Sequence, residues 1–69
     1  MDNTIYKKIE LVGTSSISVE DAVNAALARA AKTVRQLRWF EVVETRGTIA
    51  DGKVEQWQVT IEVGFRLED

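Results

Sequence analysis

Trp57-Gln58-Val59-Thr60-Ile61-Glu62-Val63-Gly64-Phe65-Arg66-Leu67 alternates without a break: each odd position is apolar and each even one is polar or glycine. Successive side chains of a β-strand point to opposite faces, so this stretch predicts a strand with one buried and one solvated face. Working outward, the strand begins at Lys53, behind Asp51-Gly52, a dipeptide suited to the positive φ angles of a two-residue hairpin turn. Its hairpin partner spans Arg38 to Ile49. There Phe40 and Val42 share one face, while Trp39, Glu41 and Val43 share the other; Arg46-Gly47 is read as a bulge that disturbs the parity beyond it.

The first half supplies a strand and a helix. In Ile5 to Val12, Ile5, Ile9 and Leu11 alternate with Tyr6, Lys8, Glu10 and Val12, and Gly13-Thr14-Ser15-Ser16 is expected to end the strand. Ser18 followed three residues later by Asp21 reads as a helix N-cap. Val23, Ala26, Leu27, Ala30 and Val34 then keep the helical spacing, against Asp21, Asn24, Arg29, Lys32 and Arg35 on the remaining surface, so a helix is predicted from Val19 to about Gln36. The order is β-α-β-β, an α+β class. One helix covers one face of a three-stranded sheet, and the apolar parity makes it the face of Trp57, Val59, Ile61 and Phe65. The longest and most regularly apolar strand belongs in the centre of an antiparallel sheet, giving the spatial order 1-3-2.

Composition limits the function. The chain has 69 residues, 45% hydrophobic and 29% charged, with a formal net charge of −2 and neither Cys, His nor Pro. It is read as a single domain over 1–69. Ordering it costs roughly 1.5 kcal/mol per residue, on the order of 100 kcal/mol in all, which so small a core barely offsets. With disulfides and His or Cys metal sites excluded, oligomerisation is the remaining source of stability. The same absences remove Ser-His and Cys-His nucleophilic dyads. No stretch reaches the roughly 20 apolar residues of a membrane span. Met1-Asp2-Asn3-Thr4 is acidic and lacks an apolar leader, so a cytoplasmic location is expected. The net charge disfavours nucleic-acid binding by bulk attraction to phosphate.

Several residues break the pattern. Trp39 projects from the face opposite the helix, together with Glu41, Gln58 and Thr60. It either fills a subunit interface, where Trp is enriched, or offers a planar stacking surface on the same face as an amide that both donates and accepts hydrogen bonds. Arg29, Lys32, Arg35 and Arg38 recur every three residues on or near the helix, as a solvated face or, gathered by symmetry, as a phosphate site. Lys7 has the parity of Ile5 and Ile9 and leans toward the apolar side. The carboxylates Glu41, Glu44, Glu62 and Glu68 show no spacing that marks an acid and base pair.

Taken in order, Lys7-Lys8-Ile9-Glu10-Leu11-Val12-Gly13-Thr14-Ser15, Ala28-Arg29-Ala30, Trp39-Phe40-Glu41-Val42, Gln58-Val59-Thr60 and Val63-Gly64-Phe65 resemble a dodecin, a small flavin-binding protein. The resemblance covers nearly the whole chain. It implies β-α-β-β protomers in a hollow homododecamer with flavins (FMN, riboflavin or FAD) stacked in pairs where subunits meet. Trp39 stands where the family's Trp stacks on the isoalloxazine, and Gln58 where its Gln hydrogen-bonds the ring edge. Arg46, in Arg46-Gly47-Thr48, resembles the bacterial branch, whose members accept FMN; its guanidinium suits either a phosphate or the ring. By the same likeness Lys7, Arg29, Thr33, Arg35 and Arg66 are candidates for the phosphates of coenzyme A. The function implied is non-catalytic flavin storage, buffering or photoprotection. The alternative is a structural or regulatory oligomeric binding module without flavin; a flavoenzyme is disfavoured because no general acid or base stands out.

Overall fold

A computed structural model describes residues 3–68 of the chain; Met1 and Asp2, part of the acidic start noted above, lie outside the described residues, as does Asp69. The elements run β1 (Tyr6–Ser15), α1 (Val19–Ala30), β2 (Leu37–Ala50) and β3 (Lys53–Arg66). The sheet is antiparallel in the order β1-β3-β2. Both the β-α-β-β order and the central place of the alternating strand are as the sequence predicts. Asp51 and Gly52 take φ of 54° and 74°, closing the β2–β3 hairpin between Ala50 and Lys53. Two consecutive positive φ values match the right-handed twist of the strands they join.

Helix α1 begins as expected. Ser18 is the N-cap, and its Oγ accepts a hydrogen bond from the Asp21 amide at 3.0 Å. The Asp21 carboxylate does not close a capping box; it accepts instead from the Ser15 Oγ at 2.6 Å, which in turn accepts from the Ile17 and Ser18 amides. The buried Ser15 hydroxyl thereby ties the end of β1 to the first turn of the helix.

Three boundaries differ from the sequence reading. Strand β1 continues through Ser15 where a break was expected at Gly13. Gly13 is a strand residue because the helix backbone passes directly over it: a Cβ there would run into the Ala22 carbonyl and stand 3.1 Å from the Ala26 Cβ. The helix ends at Ala30, not near Gln36. Its last turn tightens through Lys32 N–H to Arg29 O and Thr33 N–H to Ala30 O, and Gln36 at φ 64° reverses the chain into β2. Arg29, Lys32, Arg35 and Arg38 therefore lie on a helix, a turn, a connection and a strand, and share no helical face. Finally, the β2 irregularity lies at Val43, between Val42 and Glu44, with further shifts at Arg38 and between Thr48 and Ile49; Gly47 pairs regularly with Trp57.

The core is Ala22 and Val23 of the helix against Val59, Ile61 and Val63 of β3, the last three wholly buried. Ile9, Leu11, Val19, Ala26, Leu27 and Leu37 pack around it. Trp57 and Phe65, expected in this core, are only half-buried at its two ends, because the shortened helix does not extend over the whole length of β3.

Gly13→Ala should therefore undock the helix and cost about 1–3 kcal/mol, since the methyl meets helix backbone that cannot turn away. Urea unfolding of the variant against the unchanged chain measures this. An unchanged midpoint would show that the helix shifts freely.

Candidate functional site

Directly opposed residues of antiparallel strands share a face, so the register defines the surface away from the helix. Row by row across β1, β3 and β2 it carries Lys8, Gly64 and Trp39; then Glu10, Glu62 and Glu41; then Val12, Thr60 and Glu44; then Thr14, Gln58 and Arg46. The bulge at Val43 decides the last row. With one residue set aside there, the even positions Glu44 and Arg46 join the odd positions Trp39 and Glu41 on one face. Arg46, whose face the sequence left open, thus stands beside Gln58.

At one end of this surface the Trp39 indole lies over Gly64, with the Tyr6 ring against it at a centroid separation of 4.9 Å and 72° between planes. That edge-to-face geometry is the favoured one for aromatic pairs. Trp39 remains 41% exposed, a large aromatic open to solvent on a polar face. At the other end the Arg46 Nε donates to the Gln58 Oε1 at 2.8 Å. The Gln58 oxygen thereby accepts one hydrogen bond, and its NH2 group donates to the Gln56 Oε1 at 3.5 Å, which leaves one N–H and one lone pair of this amide for a ligand. Gln58 and Gly64 are six residues apart on β3, so about 20 Å separates the two ends at roughly 3.3 Å per residue. Trp39 and Gln58 share a face, as parity predicted, but the fold does not bring them together within one chain.

Between the two ends, Glu10, Glu62 and Glu41 form a row of like charges. Lys8 answers it, with its Nζ 3.1 Å from the Glu41 Oε1. The hydrogen bond to Glu41, the Glu41 charge and the Glu62 charge hold the Lys8 ammonium above the ordinary lysine range. Among the described residues no three His, Cys, Asp or Glu side chains gather as a metal site.

The candidate coenzyme A residues lie elsewhere. Arg29 and Thr33 line a groove of about 540 Å³ between β1 and the end of the helix, floored by Ile9, Leu11, Gly13 and Ala26. Thr33, Arg35 and Arg66 line a second concavity beside Phe65, where Arg35 also pairs with Glu68 at 3.4 Å. Lys7 is exposed on the helix-side face, opposite Phe65.

This fold and this chain have relatives. The Dodecin family profile matches residues 5–68. The chain belongs to the dodecin family. Its sequence is 62% identical over 65 residues to the dodecin of Thermus thermophilus, covering 94% of each chain. The structure of the dodecin from Streptomyces coelicolor superposes with a TM-score of 0.94 at 51% identity, over 100% of this chain and 99% of that one. A more distant relative, the calcium dodecin of Mycobacterium tuberculosis, is 30% identical over 64 residues, 93% of this chain and 90% of that protein. Dodecins are small, non-catalytic flavin-binding proteins, and membership implies a homo-oligomer. Among the described residues no helix is long and apolar enough to cross a membrane.

Two residues with no role in the sequence reading shape this surface. Tyr6 and Gly64 hold the Trp39 ring. The available signal was a glycine inside an otherwise perfect strand, which marks a close approach by another group.

Because its partners hold the Lys8 ammonium high, the pairing contributes stability below the ordinary lysine value for as long as Glu41 is ionised, and at the alkaline end loses it as pH rises through the raised value. Glu41→Gln should return the Lys8 titration toward the ordinary lysine range, followed by the NMR shift of its ε-methylene protons. No movement would remove Glu41 as the cause.

Proposed function

We propose that the chain, acting as one domain over 1–69, binds a flavin without transforming it, for storage, buffering or photoprotection in the cytoplasm, as a homododecamer. The observation that carries this is the exposed Trp39 ring lying on the solvated sheet face of a dodecin. The residues fit a planar heteroaromatic: an open indole face for stacking, and an amide NH2 whose partner oxygen is already held by Arg46. A bound flavin supplies a light-absorbing, redox-active ring. Trp39 would cover one face of that ring and stand as the electron-rich neighbour able to quench its excited state, with Gln58 at its polar edge. Offset stacking adds roughly 0.5–1.5 kcal/mol beyond buried area.

One isoalloxazine is shorter than the roughly 20 Å between the Trp39 and Gln58 ends of a single chain. The site is accordingly shared between copies, which agrees with the exposed apolar side chains of β2, Phe40, Val42, Val43 and Ile49, as contacts within an assembly. Arg46 acts on the ring side of the ligand, through Gln58, and not on the tail. Coenzyme A is a second ligand of this reading, favoured by Thr33, Arg35 and Arg66 lining one concavity with an apolar Phe65 wall; Lys7 and Arg29 belong to it by family likeness.

Titration with riboflavin, FMN and FAD, followed by quenching of flavin fluorescence, tests the function directly. Quenching is expected with all three; a colourless protein that leaves added flavin fluorescent is a binding module of another kind. Trp39→Ala should abolish most binding while the assembly persists. Gln58→Ala should weaken binding less, by about 0.5–1.5 kcal/mol. Arg46→Ala should weaken riboflavin and FMN by the same factor, whereas a loss confined to FMN and reduced by salt would assign Arg46 to the phosphate.

Sedimentation checks the assembly. A large closed oligomer is expected, and a heat-stable folded monomer of 7.8 kDa contradicts it.

A further inference from the structure

Gly64 lies in the interior of β3, on the face turned away from the helix, and yet it is buried. Its cover is Trp39. A Cβ at position 64 would overlap the Cε2, Cζ2 and Cη2 atoms of the indole six-membered ring, so the ring rests directly on the strand backbone. Gly64 has no positive φ, unlike Gly52, so backbone conformation does not require glycine here. A glycine inside a strand costs stability because it packs nothing and loses more freedom on folding. The reason for it at this position is the ring above it. The Tyr6 edge contact holds the same ring from the β1 side.

We propose that Gly64 is a positioning residue: by lacking a side chain it lets Trp39 lie flat on the sheet, and so sets the height and tilt of the stacking platform. This rests on the reading of Trp39 as the flavin-stacking surface. A side chain at 64 lifts the indole off β3, opens its contact with Tyr6 and moves it into the space a stacked ring occupies. The backbone needs no change, because the atoms displaced belong to the far end of one side chain. The platform is thus a three-residue device, Gly64 below, Tyr6 at the edge and Trp39 on top. The residue that never touches the ligand determines how thick a ligand stack the surface accepts.

Gly64→Val tests this in the full chain. Valine favours strands and the position faces away from the helix-packed core, so far-ultraviolet circular dichroism and oligomer size are expected to stay unchanged. The near-ultraviolet signal of the Tyr6–Trp39 pair should fall to that of Trp39→Ala, and riboflavin affinity should drop at least tenfold. In a Trp39→Ala background, Gly64→Val should leave the near-ultraviolet signal unchanged, since there is no ring to displace, and should hold or raise the melting temperature, since valine suits a strand better than glycine. If the valine disturbs the assembly, Gly64→Ala is read by the same signals, with a shift of the same sign in the near-ultraviolet band. Unchanged riboflavin affinity and aromatic signal in the position-64 variant overturns the proposal, as does a near-ultraviolet change that persists without Trp39. Should the unsubstituted protein fail to quench riboflavin, the flavin reading falls, while the near-ultraviolet comparison still decides the role of Gly64.

Discussion

One twelve-residue helix covers one face of a three-stranded sheet, and most of this structure follows from that asymmetry. The covered face takes Val59, Ile61 and Val63 out of water against Ala22 and Val23. Each fully buried branched aliphatic contributes about 1.5–3 kcal/mol, and there are few of them. A core this small leaves the other face outside the helix-packed core, and that face carries the aromatic platform, the Arg46–Gln58 pair and the carboxylate row. The small core and the exposed ligand surface are two consequences of the same shortage of layers.

Backbone proximity is managed by glycines and bulges rather than by large side chains. Gly13 lets the helix descend onto β1, and Gly64 lets an indole descend onto β3 from the opposite side. The bulge at Val43 shifts the parity of β2 midway, so that Trp39 and Arg46, seven positions apart and of opposite parity, look out from the same surface. Without it Arg46 would face the helix side and Gln58 would lack the cation that fixes its amide. In the row between the two ends, Lys8 reaches across β3 to Glu41 and reduces the repulsion of three carboxylates lying side by side.

Much of this was legible in the residues. The strict alternation of Trp57 to Leu67 determined a two-faced strand, its length put that strand in the centre, and Asp51-Gly52 determined the hairpin, because period and turn chemistry are local properties of the backbone. Ser18 as helix start and Trp39 as the odd residue on the polar face were equally readable. The family likeness named Gln58 as a partner of the ring and left Arg46 between the ring and a phosphate, without saying that the two bond to each other.

What tertiary structure alone decided were the places where the chain meets itself. Val34 keeps the helical spacing, yet the helix stops at Ala30, because the chain must turn at Gln36 to enter β2 in register with Phe65. Gly13 has the composition of a strand breaker, but only the helix overhead explains it as a strand residue. The bulge sits at Val43 and not at the glycine, since register along β2 is settled by pairing with β3. The span between Trp39 and Gln58 is equally invisible to parity. Alternation reports which face a residue occupies; how far apart two residues lie on that face depends on the register of different strands, which no local pattern encodes.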